Sequence, residues 1–199
     1  FVTMENVPKD TIEKWKYVYT YYLKKLTLAH DGKQLILKNP ANTARVKLLL
    51  EMFPDAKFIH IYRNPFYCFL SMMRDIEKEM TLYCVQQPQE HSIFETAMVN
   101  LYNKMFEKYF AEKLHIPNGN LIEIRYEDLT TNPYHEIEKI HNALELPGFE
   151  ACRDKLQRYI ASQRNVKTHK YPLHDQLKLK TYRYFKTTID LSGYTSTLS

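Results

Sequence analysis

At 199 residues, with 44% hydrophobic and 26% charged side chains, the chain has the size and composition of a globular domain with a real core, not of a disordered or fibrous protein. No apolar run approaches the ~20 residues that span a bilayer, and no signal peptide is visible, although the chain opens at Phe1 rather than a methionine, so an upstream segment is expected. Cys68, Cys84 and Cys152 are odd in number and never form Cys-x-x-Cys, which argues against a disulfide framework and a zinc site.

Taken in chain order, Thr11 to His30 has helical length, with Trp15, Val18, Tyr22 and Leu26 at helical spacing, and Asp31-Gly32 ends it. Leu35-Ile36-Leu37 reads as a short strand, followed by Lys38-Asn39-Pro40 and a helix of about twelve residues from Asn42 or Thr43. Pro54-Asp55 breaks that helix, and Lys57 to Tyr62 is β-branched and aromatic, a second strand. Arg63 follows, then Asn64 as a helix cap and Pro65 in the first turn, where a missing N–H costs nothing. The helix so opened is expected to reach Met80.

A longer helix is expected over Ser92 to Leu114, a turn at Pro117 to Asn120, and a third strand at Leu121 to Arg125. Tyr126 to Pro133 reads as a loop, Tyr134 to Leu146 and Phe149 to Ser162 as helices, and a basic, proline-containing loop follows. Strands alternating with helices give an α/β fold, a parallel sheet flanked by helices, over one domain spanning residues 1–199.

Ligands of such sheets bind beyond the carboxyl ends of the strands. Lys38 and Arg63 both stand at strand ends, each followed by Asn-Pro and a helix, a repeated arrangement that favours a phosphate or sulfate. Charge is uneven as well. Residues 151–186 hold ten basic side chains against Asp154 and Asp175, while the remainder holds 18 basic against 21 acidic. That end suits an anionic ligand, or is simply a solvated lysine-rich face.

The run LILKNPANTARVKLLLEMFPDAKFIHIYRNPFYCFLS resembles the central region of the sulfotransferases that use 3′-phosphoadenosine 5′-phosphosulfate. IRYEDLTTNP at 124–133, LELPGFE at 144–150 and HKYPL at 169–173 are similar to further segments of that family. The resemblance covers roughly residues 11–173 and implies a P-loop-NTPase-like fold and transfer of a sulfonate to a hydroxyl or amine, without a metal. It implies that Arg63 and Ser71, eight positions apart, bind the nucleotide 3′-phosphate. Taken alone, Ser71 would be a solvated serine on a polar face with Tyr67, Arg74, Asp75 and Lys78. The resemblance makes Lys38 the catalytic cation that offsets charge on the departing phosphate. It also makes Lys170 a nucleotide contact in a mobile basic loop at 164–170. The acceptor is a carbohydrate, a protein tyrosine or a small molecule, and no nucleic-acid motif is present.

Two departures from the family pattern stand out. Many relatives carry a histidine after the lysine as general base, whereas Asn42 stands about there and cannot act as a base. No lysine- and threonine-containing loop follows a strand, so the chain is expected to be the C-terminal part of the full fold, lacking the loop that binds the 5′-phosphosulfate. The alternative function is a noncatalytic, degenerate or truncated nucleotide-binding or interaction module. Cysteine usage and the lack of Asn-x-Ser/Thr favour the cytoplasm, or the Golgi if an upstream anchor is missing.

Overall fold

Two of the three expected strands pair. β1 (Phe58–Tyr62) and β2 (Leu121–Arg125) run parallel, with Phe58 opposite Leu121 and Tyr62 opposite Arg125. The computed structural model describes residues 2–76, 78, 82, 85, 91–163 and 172–195. It divides into two compact units, Phe1–Ala56 with Lys104–Ile116, and Lys57–Asn103 with Pro117–Ser199.

The sheet lies in the second unit. Its register places Ile59, Ile61, Ile122 and Ile124 on one face and His60, Tyr62, Glu123 and Arg125 on the other. Ile122 and Ile124 are buried against Ile140 and Leu144, contributed by α6 (Pro133–Ala143) and its C-terminal cap. On the opposite face Tyr62 joins a core of Phe66, Phe69, Val99, Phe185, Ile189 and Tyr194. Helices therefore flank the parallel pair on both faces, as a parallel sheet requires.

That second core is built by α3 (Pro65–Asp75), the first part of α4 (His91–Glu112) and α8 (Asp175–Ser192). α8 is not among the helices expected from the sequence. Thr181, Phe185, Thr188 and Ile189 give α8 a buried stripe at helical spacing, which the surrounding lysines obscure. Two of its four basic side chains are paired, Lys180 with Glu95 at 2.6 Å and Lys186 with Asp190 one turn on.

A kink interrupts α8 at Phe185 (φ −123°, ψ 25°). The Tyr184 carbonyl accepts a hydrogen bond from Asn103 Nδ2 at 2.8 Å, so the break leaves that group satisfied. Phe185 turns inward, its ring centroid 4.5 Å from that of Tyr102 and 5.9 Å from that of Phe69.

The expected loop after β2 is mostly helical. α5 (Tyr126–Thr131) starts at once, with Glu127 and Asp128 in its first turn, where the helix dipole favours acids. Thr130 and Thr131 hydroxyls donate back to the Glu127 carbonyl, and Asn132 leaves helical geometry before Pro133 opens α6. α7 (Phe149–Gln163) follows as expected.

The first unit holds α1 (Lys9–Ala29) and α2 (Val46–Met52), joined through a 3₁₀ turn at Pro40–Ala44. Lys16 of α1 reaches Glu51 of α2 at 3.3 Å, and Arg45 lies over the Trp15 ring at 5.2 Å. Glu112 accepts from the Lys47 N–H at 3.0 Å, capping α2. The expected strand at Leu35-Ile36-Leu37 does not form: residues 33–39 carry no regular structure, and Ile36 is 87% exposed. Three residues of β propensity make a strand only where a neighbour completes the ladder, and the described sheet contains only β1 and β2.

Because Phe185 is 1% exposed and packed among three rings, Phe185→Ala should cost about 3–5 kcal/mol. Leu179→Ala, on the exposed side of the same helix, should change stability by less than about 0.5 kcal/mol. Urea unfolding of both variants checks the pair, and similar costs would mean that the kink is not seated as described.

Candidate functional site

Arg63 leaves the carboxyl end of β1 directly before α3. Its guanidinium carbon lies 4.7 Å from the centre of the Tyr126 ring, and it makes no ion pair among the described residues. The peptide that follows is clamped from two sides. The Arg63 carbonyl accepts from the Cys68 thiol at 3.8 Å, and the Asn64 N–H donates to Glu127 Oε1 at 3.1 Å. Burial pushes the Cys68 thiol up to about 11, so it stays neutral and serves as a donor, not as a nucleophile.

Asn64 caps α3 as its sequence suggests, its side chain accepting from the Phe66 N–H at 3.0 Å with Pro65 in the first turn. The Tyr67 and Cys68 amides both donate to the Asn64 carbonyl at 3.1 Å. The first amides of α3 are thus consumed internally. Sequence reasoning expected this helix terminus to present N–H groups to an anion; what is left for an anion is the helix dipole and the side chains.

Ser71 lies on α3 six residues after Pro65, about 9 Å along the axis at 1.5 Å per residue. It is half-buried, on the side of the helix away from Phe66 and Phe69, so β1 and α3 bring Arg63 and Ser71 into one unit and one βα connection.

Lys38 belongs to the first unit and is exposed in the irregular stretch before the 3₁₀ turn, not at a strand end. The Asn-Pro repeat is nevertheless real: Asn39 accepts from the Ala41 N–H at 3.0 Å, matching the cap made by Asn64. Asn42 has its Oδ1 buried without a hydrogen-bond partner among the described residues. Lys170 and the basic stretch at 164–170 lie outside the described residues. His60 is packed on the sheet 3.5 Å from Glu123, in keeping with a core role.

Two residues without a role in the sequence reading complete the strand-end cluster. Glu127 uses Oε2 to accept from the Tyr194 hydroxyl at 2.5 Å. Tyr194, 3% exposed, follows Gly193, whose φ of 76° ends α8 in the left-handed conformation that glycine adopts freely. Arg125 lies over the Tyr194 ring at 4.9 Å and donates from Nε to its oxygen at 3.4 Å. A glycine stop followed by an aromatic residue was the available sequence signal for Tyr194, and the acidic first turn after β2 the signal for Glu127.

Burial, then donation to Glu127, raises the Tyr194 hydroxyl above its ordinary range near 10. A group whose pKa is raised on folding contributes stability below its unfolded value and loses it as pH climbs toward the folded one. The parent should therefore lose stability more steeply above about pH 10 than Tyr194→Phe, which has nothing there to ionise. Urea midpoints from pH 8 to 11 check this, and parallel profiles would show that the hydroxyl is not held as described.

Comparison with known proteins follows this geometry. The chain is 28% identical over 194 residues to the omega-hydroxy-beta-dihydromenaquinone-9 sulfotransferases of Mycobacterium bovis and Mycobacterium tuberculosis, matching 98% of this chain and 50% of theirs. It thus spans about half the length of these curated relatives. An uncharacterized protein of Aquifex aeolicus is 28% identical over 157 residues, covering 74% of this chain and 18% of its own. No solved structure matches. The sulfotransferase family profile matches residues 5–151, which include β1, Arg63, Ser71 and Glu127, and the chain belongs to the sulfotransferase family.

Proposed function

We propose that the chain serves transfer of a sulfonate from 3′-phosphoadenosine 5′-phosphosulfate to a hydroxyl-bearing acceptor, as part of one sulfotransferase-like domain. The observation that carries this reading is Arg63: a guanidinium at the carboxyl end of a parallel strand, steadied over Tyr126 and without an ion pair among the described residues, in a chain of this family. Its planar fork of donors suits a phosphate, and the Ser71 hydroxyl adds a neutral donor on the same βα connection.

The donor supplies an activated sulfonate: its bond to the bridging phosphate oxygen breaks, releasing adenosine 3′,5′-bisphosphate, while a bond to the acceptor oxygen forms and the acceptor's proton passes to water. Arg63 and Ser71 hold the 3′-phosphate. The family resemblance assigns Lys38 the positive charge that offsets the charge gathering on the phosphate side. Lys170 adds a further cation for the nucleotide. The acceptor is a hydroxyl compound, and the names of the mycobacterial relatives make a lipophilic quinol derivative the first to try.

A second reading, a noncatalytic nucleotide-binding module, is favoured by Asn42, which cannot take a proton from the acceptor. Nucleotide binding without transfer to any acceptor would be its signature.

Calorimetric titration with adenosine 3′,5′-bisphosphate and adenosine 5′-phosphate tests the site. A charge-assisted hydrogen bond contributes about 1.5–3 kcal/mol, so Arg63→Ala should weaken the bisphosphate by roughly one to two powers of ten. The monophosphate should be nearly indifferent to the substitution. Equal affinity of the parent for both ligands would remove the 3′-phosphate role.

A further inference from the structure

Arg63 is held in place by residues that do not themselves face the anion. Its carbonyl is bound by the Cys68 thiol, and the N–H of the same peptide unit, that of Asn64, is bound by Glu127 Oε1. The ring beneath its guanidinium belongs to Tyr126, the neighbour of Glu127. Both the backbone and the head group of Arg63 are therefore referenced to the first turn of α5.

Glu127 is fixed in turn. A carboxylate with one oxygen on an amide could rotate about its last torsion, but its second oxygen accepts from the Tyr194 hydroxyl at 2.5 Å. Tyr194 is held, because it is buried, stands edge-on to Tyr62 with ring centroids 6.1 Å apart, and carries the Arg125 guanidinium over its ring at 4.9 Å. A residue at the far end of the chain, outside the segment matched by the family profile, thus completes the support of the strand-end loop.

We propose that Glu127 and Tyr194 are positioning residues for phosphate recognition: Tyr194 locks the Glu127 carboxylate, and Glu127 locks the Arg63–Asn64 peptide so that the Arg63 side chain leaves the strand in its binding direction. This rests on the reading of Arg63 as the 3′-phosphate ligand. It assigns the C-terminal Gly193-Tyr194 a part in donor selection, with the Tyr194 hydroxyl acting through Glu127.

The test reads the ratio of affinities for adenosine 3′,5′-bisphosphate and adenosine 5′-phosphate, by calorimetry, in the parent, Glu127→Ala, Glu127→Gln, Tyr194→Phe and the double variant Glu127→Ala/Tyr194→Phe. Glu127→Ala should reduce the ratio about tenfold, in line with loss of one hydrogen bond to a charged acceptor. Glu127→Gln, which keeps a carbonyl oxygen for the Asn64 N–H, should restore most of it. Tyr194→Phe should lower the ratio about threefold, and the double variant should match Glu127→Ala alone, because the substitution keeps the ring contacts with Tyr62 and Arg125 and removes the hydroxyl that holds Glu127.

Ile140→Val, in the separate core beneath β2, serves as a destabilised control and should leave the ratio unchanged. A parent without preference for the bisphosphate overturns the phosphate reading and this proposal together. A parent preference that Glu127→Ala and Tyr194→Phe both retain overturns the positioning roles and leaves Arg63 standing. A control ratio that falls with stability, or a double variant with multiplied losses, overturns the coupling through Glu127.

Discussion

The amide of Asn64 donates to Glu127, and much of the second unit is arranged so that this acceptor is present. A buried N–H left without an acceptor costs about 1–3 kcal/mol, and Asn64 is buried where β1 gives way to α3. The acceptor comes from the neighbouring strand's outgoing turn, so the pairing of β1 with β2 in this register is a precondition for the bond. A slip of one residue would carry Glu127 past the amide and turn Ile122 and Ile124 away from α6.

The same economy decides what kind of anion site the strand end offers. In many phosphate-binding loops successive backbone amides point at the ligand. Here the first amides of α3 bond to Asn64, through its side chain and its carbonyl. Recognition at the proposed phosphate site would fall to side chains, on a frame held by a thiol, a carboxylate and two tyrosine rings. Side-chain recognition is selective for charge and donor geometry, whereas an amide cradle would accept most tetrahedral anions.

Much of this frame was legible in the sequence because it is local. Phe58 to Tyr62 declares a strand by its β-branched and aromatic residues, and Asn64-Pro65 declares a helix start through a cap that needs only two positions. Leu35 to Leu37 carries the same local signal and fails, since a strand also needs a partner and none of the described strands lies beside it. α8 was hidden for the opposite reason: its apolar stripe is narrow and its exposed lysines dominate the composition. Glu127 and Tyr194 lie 67 positions apart, and no spacing rule links a carboxylate to a tyrosine at that range. The family profile identifies the chain as a sulfotransferase relative but stops short of Tyr194, so its contribution emerges only from the folded contacts.

The kink at Phe185 acts as the fulcrum of a lever. From there to Ser192 the helix runs about 10 Å at 1.5 Å per residue. Straightening α8 by only about 20°, the lower bound of a sharp kink, would swing its far end through roughly 3–4 Å, more than the length of the bond between Tyr194 and Glu127. Asn103 and the ring cluster of Phe69, Tyr102 and Tyr184 hold the fulcrum. Substitutions there, remote in sequence from both strands, would misaim the tyrosine while leaving every residue of the strand-end site chemically intact.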